Sequence, residues 1–147
     1  LPVSFKRAPI VLREAIVTYS PDLVIMLGQC PAGDNIRLER FAINMMDSKN
    51  ADKDGYIPNE ETIYAHQPLA LQTPLPIKDL VNFCTGNVLP IQISNSAGLY
   101  VCNRVYYEAL YAKQKAVFIH VPQNMVATDV VKVVDIILDK LTHYIPD

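Results

Sequence analysis

Two residues in this 147-residue chain have types and settings suited to nucleophilic chemistry, Cys102 and His120. Cys102 closes the run Ser94-Asn-Ser-Ala-Gly98-Leu-Tyr-Val-Cys102, where a short apolar alternation (Ile91, Ile93) gives way to small turn-forming residues. From there Val101, Val105, Ala109 and Ala112 recur at helical spacing, and Lys113 and Lys115 stand at the far end, where cations suit the helix dipole. The spacing places Cys102 in the first turn of a helix that follows a strand and a tight turn. Unpaired amides and partial positive charge at a helix start favour thiolate over thiol. The run Ala116-Val-Phe-Ile-His-Val-Pro122 reads as a buried strand that delivers His120 at its carboxyl end, just ahead of a proline. Sites in open α/β sheets form at that end of the strands. A thiol and an imidazole so placed are a nucleophile and a base able to meet. The same position also suits inert packing, because free cysteine is among the most buried residue types. The residues alone leave both readings of Cys102 open.

The rest of the chain has to position this pair. Leu1 to Phe5 alternates loosely, as the tail of a strand does. Pro9 fits a first helical turn, Leu12, Ala15, Ile16 and Tyr19 follow at helical spacing, and Ser20-Pro21-Asp22 ends the helix. Leu23 to Leu27 is a continuous apolar run, the pattern of a strand buried on both faces, and Gly28-Gln29 closes it. Arg37 to Asn44 is a second strand. Asp47 to Thr73 is long, polar and broken by Gly55 and Pro58, the pattern of a functional lid or mobile loop. Within it, the Lys/Asp cluster from Lys49 to Asp54 reads as a solvated loop. Pro76 to Cys84 forms a short helix with Leu80 and Val81 inward. Val126 to Leu141 forms an amphipathic one with Val130, Val134, Ile137, Leu138 and Leu141 on one face. This alternation predicts an α/β fold: a three-layer α/β/α sandwich with a mostly parallel twisted sheet, one domain over residues 1–147.

Composition narrows the function classes. Half the residues are hydrophobic and 19% are charged, which excludes a disordered charged tail. A formal net charge of −2 offers no electrostatic case for nucleic acid or an anionic membrane as partner. No apolar run reaches the length of a membrane span, and the opening residues lack a secretory-signal pattern. Three cysteines (Cys30, Cys84, Cys102) without paired spacing and three scattered histidines indicate neither a disulfide framework nor a zinc site. A reducing, cytoplasmic setting fits.

Several segments together carry a family resemblance. They are Val11-Leu-Arg-Glu-Ala-Ile16 with Pro21-Asp22, Gly28-Gln29, Glu39-Arg-Phe-Ala-Ile-Asn44, Ile57-Pro58, Leu75-Pro-Ile-Lys78, Ser96-Ala-Gly-Leu-Tyr-Val-Cys-Asn103 and Phe118-Ile-His-Val-Pro122. In this order they resemble the type I pyroglutamyl peptidases (pyrrolidone-carboxylate peptidases), cysteine peptidases that remove an amino-terminal pyroglutamyl residue. The resemblance implies a triad of Glu39, Cys102 and His120, with Cys102 as nucleophile, His120 as acid and base, and Glu39 orienting the imidazole. It implies a lactam pocket to which Val3, Gln29, Ile57, Tyr100 and Val101 contribute. It also implies a pyroglutamyl peptide as substrate, no metal or organic cofactor, and assembly into homo-oligomers.

Taken alone, Glu39 between Arg37 and Arg40 also fits a surface ion pair, and Ile57 and Val101 fit ordinary core. His66 and His143 read as surface or packing residues and Cys84 as packing, whereas Cys30 adjoins Gly28-Gln29 near the site. The chain also departs from the family pattern. It begins inside that pattern, with no counterpart of the opening strand and its Gly-Phe-x-x-Phe pocket loop, which would leave Leu1 to Phe5 short of a neighbour. That is the expectation for a trimmed portion of a longer chain or for a reduced relative. Cys30-Pro-Ala-Gly33 replaces a glycine-rich run, Arg104 stands where histidine is usual, Tyr56 stands where arginine is common, and the segment after Pro122 is short. Two other readings accompany the peptidase: an impaired scaffold or binding protein of the same fold, and a cysteine hydrolase of another amide or ester.

Overall fold

The computed structural model describes residues 1–86 and 90–142; His143 lies outside them. Helix α1 (Arg7–Tyr19) carries Pro9 in its first turn, where the missing N–H leaves no bond unmade. It stops at Ser20, whose left-handed backbone (φ 44°) closes an N–H on Ile16 O. Ahead of it, Leu1 to Phe5 is not the strand its alternation suggests. Ser4 N–H turns back to Pro2 O and Ser4 Oγ accepts the Arg7 N–H, while Val3 O and Phe5 N–H bond to the loop at 52–53. These partners occupy the backbone groups that a sheet ladder would need.

In chain order follow β1 (Val24–Cys30), β2 (Ile36–Glu39), β3 (Phe41–Ile43), β4 (Ala70–Gln72), α2 (Ile77–Gly86), β5 (Ile91–Ser94), α3 (Val101–Tyr111), β6 (Ala116–Pro122) and α4 (Ala127–Thr142). The main sheet has the order β1-β6-β2-β5. Its outer pairs, β1 with β6 and β2 with β5, are parallel, and the central pair β2 with β6 is antiparallel. A separate antiparallel ribbon joins β3 and β4. The expected strand from Arg37 to Asn44 is therefore two strands in two sheets. The break falls at Arg40, whose N–H bonds Ser94 O while its C=O accepts the Thr73 N–H. Strand β1 runs on through Gly28 and Gln29 to Cys30, and among the described residues it pairs with β6 alone. Leu27 is 56% exposed and Met26 is buried, so among the described residues one face of the run is covered.

Side-chain alternation splits the core into two layers. Met26, Phe118 and the buried faces of α1 and α3 form one, with Leu12, Val105 and Tyr106. Leu38, Val117 and Ile119 form the other, against Leu80 of α2 and Ile137 of α4. Helices thus cover both faces of the sheet, and the three-layer α/β/α arrangement holds. The buried stripe of α4 is Val133, Ile137 and Leu141; Leu138 is 40% exposed, off the face assigned to it by spacing. The long segment after Asp47 is pinned, not loose. Asn44 bonds Tyr64 N–H and the carbonyls of Tyr64 and Gln67, Met46 bridges to Glu61, and Asp52 is buried. Among the described residues no helix is long and apolar enough to cross a membrane.

Candidate active site

The antiparallel centre of the sheet brings Glu39 to His120. Its register sets Arg37 opposite His120 and Glu39 opposite Phe118, so Glu39 lies diagonal to the histidine on the same face. Glu39 Oε1 stands 2.7 Å from His120 Nδ1. Glu39 is wholly buried (0% exposed), which removes the surface ion-pair reading. Its Oε2 has no hydrogen-bond partner among the described residues. The strand around it is held by Tyr106, whose hydroxyl donates to Glu39 O at 2.9 Å, and the Phe118 ring packs 4.7 Å from the imidazole.

Cys102 reaches the same face from α3, which packs over it. From Val101 to Leu110 this helix is buried at every residue except Cys102, the one side chain left partly open. Beneath the sulfur lies Gly28, which the parallel register sets beside His120. A Cβ at Gly28 would stand 3.2 Å from Cys102 Sγ and 2.6 Å from Phe118 Cζ, so the missing side chain is the seat of the sulfur. The two groups interact. Burial works against a charged imidazole, but hydrogen bonding and charge interaction with Cys102 and Glu39 outweigh it and lift His120 from 6.5 to about 9.

The start of α3 is fixed from behind by Asn103. Its Oδ1 accepts the Ile43 N–H at 2.8 Å, and its Nδ2 donates to Ile43 O and Met45 O at 2.8 and 2.9 Å. The first bond of the helix runs from Arg104 N–H to Tyr100 O at 3.1 Å, so the N–H groups of Val101, Cys102 and Asn103 precede it.

Beside the sulfur opens a mainly apolar cavity of about 610 Å³ lined in part by Val3, Gln29, Tyr100, Val101 and Phe118. Four of the five expected pocket residues therefore meet at Cys102. Ile57 does not: it is 54% exposed and lines no part of this cavity. Cys30 is buried at the end of β1, on the Gly28 face but outside the cavity lining. Cys84 is buried in α2, where burial pushes its thiol up, and His66 is exposed. Phe118 and Gly28 were visible only as parts of motifs, and no local signal marks Asp52, whose bonds are described below. Among the described residues no group of three or more His, Cys, Asp or Glu side chains is placed to hold a metal ion.

Comparison with known proteins bears on this arrangement. The pyrrolidone-carboxylate peptidase of Thermococcus litoralis is 41% identical over 128 residues, covering 83% of this chain and 58% of that protein. The one from Bacillus licheniformis is 37% identical over 128 residues, covering 83% and 60%. The chain thus spans less than two thirds of the length of these curated relatives. Among solved structures, pyrrolidone carboxyl peptidase from T. litoralis matches with a TM-score of 0.91 at 33% identity, over 100% of this chain and 79% of that one. Pyroglutamyl peptidase I from Bacillus amyloliquefaciens matches with a TM-score of 0.86 at 30% identity, over 93% and 75%. A family profile described as pyroglutamyl peptidase matches residues 1–140, and the chain belongs to that family.

Proposed function

We propose that this chain carries the reacting groups of a cysteine peptidase that hydrolyses the amide bond after an amino-terminal pyroglutamyl residue. The observation that carries the reading is the buried Glu39–His120 contact, with Cys102 of α3 interacting with the same imidazole beside a mainly apolar cavity. Glu39 accepts the Nδ1 proton of His120 and so turns Nε2 toward the sulfur. With His120 lifted to about 9, the imidazole is charged at neutral pH, the state that accompanies a thiolate partner. Cys102 Sγ attacks the carbonyl carbon between lactam and peptide, and the N–H groups ahead of the first helical bond of α3 face the developing oxyanion. His120 gives its Nε2 proton to the leaving amine, and a thioester remains. Water then attacks the thioester while His120 takes its proton, releasing pyroglutamate and the thiolate.

The lactam is neutral and compact, and a cavity lined in part by Val3, Gln29, Tyr100 and Val101 suits it. Ordinary aminopeptidases need carboxylates for a free amine, and this lining offers none. Three free cysteines and a thiolate mechanism suit a reducing compartment, which favours the cytoplasm. The test is release of a fluorophore from a pyroglutamyl-amide substrate. Cys102→Ala should abolish it, and equal activity or equal silence of the two proteins would remove the mechanism.

A further inference from the structure

Val3 and Tyr100 both line the cavity, and the loop from Ala51 to Tyr56 holds both. Its centre is Asp52, a carboxylate only 6% exposed in a stretch whose sequence reads as solvated. Asp52 Oδ2 accepts the Phe5 N–H at 2.9 Å. Oδ1 accepts the N–H groups of Asp54 and Tyr56, each at 2.9 Å, which folds the loop around its own side chain. From this turn Lys53 N–H donates to Val3 O at 3.0 Å, and Ala51 O accepts the Tyr100 hydroxyl at 2.9 Å. Behind the lining the Phe5 ring packs edge-on against Tyr100 at 5.1 Å and Tyr56 at 6.0 Å. Leu1 to Phe5 belongs to no strand, and the bonds from Ser4 to Pro2 and Arg7 stay within its own segment and the start of α1, so this turn is what ties the segment to Tyr100.

We infer that Asp52 is a positioning residue for lactam recognition, clamping the Val3 to Phe5 segment to Tyr100 and thereby setting the width of the cavity beside Cys102. This rests on the reading of the cavity as a lactam pocket. Asp52 lines no part of the cavity and acts only through Phe5, Val3 and Tyr100.

Asp52→Asn isolates the effect. The amide oxygen can keep the Asp54 and Tyr56 bonds, but its NH2 then faces the Phe5 N–H, two donors head to head. The readout is alkylation of Cys102 by iodoacetamide with 2-pyrrolidone, the bare lactam, as protecting ligand. Wild type should be protected, and Asp52→Asn should need about tenfold more 2-pyrrolidone, about 1.4 kcal/mol. The alkylation rate without lactam should stay as in wild type, and in turnover of a pyroglutamyl-amide substrate the change should fall on KM. Asp129→Asn, exposed in the first turn of α4 and away from the cavity, should leave protection unchanged. If Asp52→Asn does not fold, Tyr100→Phe severs the other end of the clamp and should also weaken protection. Equal protection of variant and wild type overturns the role of Asp52 alone. So does an equal fall in unprotected alkylation, since that marks a general structural loss. Failure of 2-pyrrolidone to protect wild type overturns the lactam reading, and this inference with it.

Discussion

Two carboxylates are buried along α3, and they are built in opposite ways. Glu108 is 2% exposed, and both its oxygens are satisfied: Arg13 donates to Oε1 at 2.9 Å, while Arg104 and Tyr64 donate to Oε2 at 2.7 and 2.6 Å. Glu39, at 0% exposed, has one histidine on one oxygen and no partner on the other among the described residues. Two cations over one anion make the Glu108 cluster a closed knot that ties α1, α3 and the loop at Tyr64 together. The Glu39 pair is left open, with His120 on one oxygen of the carboxylate and the imidazole in turn beside a partly exposed sulfur. A buried carboxylate that lacks donors is costly unless something else holds it. Its partner here is a titratable group and not a fixed cation, and the pair is therefore suited to moving a proton.

The sharpest way to break this contrast is to neutralise each carboxylate in turn. Glu39→Gln should cut kcat/KM by on the order of 10⁴, about 5 kcal/mol on the barrier, as in triads whose orienting carboxylate becomes an amide. Unfolding free energy should fall less than in Glu108→Gln, since the amide oxygen remains an acceptor for His120 and Cys102 still holds the imidazole. Glu108→Gln should do the reverse. It leaves Arg104 nearly buried without its counter-charge, and denaturant unfolding should show a loss of about 3–5 kcal/mol. Alkylation of Cys102 in the folded fraction should keep its wild-type pH profile. If Glu108→Gln lost activity without losing stability, the division between knot and relay would be wrong.

A smaller effect tests the seat of the sulfur. Gly28→Ala places a methyl group 2.6 Å from the Phe118 ring and 3.2 Å from Cys102 Sγ, and overpacking of this kind costs about 1–3 kcal/mol. Iodoacetamide should react more slowly with Cys102 in that variant. Gly33→Ala, with nothing within 4 Å of the added carbon, should behave as wild type. The double variant Gly28→Ala/Phe118→Leu removes the ring collision. Full recovery of thiol reactivity there would show that the contact with sulfur is immaterial.

How much of this could be read from the sequence depended on how local each signal was. Cys102 and His120 were legible because a turn, a helix start and a proline-terminated strand are written in consecutive residues. Glu39 reached the site only through family resemblance, since its meeting with His120 depends on an antiparallel pairing of strands far apart in the chain. The run from Leu23 to Leu27 reports apolar side chains but not how many neighbours a strand has; among the described residues it has one. Arg37 to Asn44 keeps strand-like residues across Arg40, and nothing in them announces that the backbone changes sheets there. Asp52 was the deepest miss. Its neighbours are lysines and aspartates, and only the arriving Phe5 N–H turns a solvated position into a clamp.

The smallest expected effect concerns pH, and here His120 and Glu108 should part in opposite directions. For His120 the folded value of about 9 lies above the ordinary 6.5, so the folded chain keeps a proton that the unfolded chain releases. Its contribution to stability is fully present below pH 6.5 and is lost as pH rises through about 9. For Glu108, burial alone would raise the carboxyl, but donors from Tyr64, Arg104 and Arg13 hold it below the ordinary 4.5. Its contribution is present above that value and disappears as pH falls through the folded one. Unfolding measured across the whole range should therefore show an alkaline limb that His120→Asn flattens and an acid limb that Glu108→Gln flattens, with neither variant touching the other limb. Cys102→Ala should shift the alkaline limb to lower pH, because it removes one of the two partners that hold the imidazole charged against burial. An alkaline limb identical in wild type and His120→Asn would mean that the relay carries no charge in the folded protein, and the contrast with the Glu108 knot would lose its electrostatic basis.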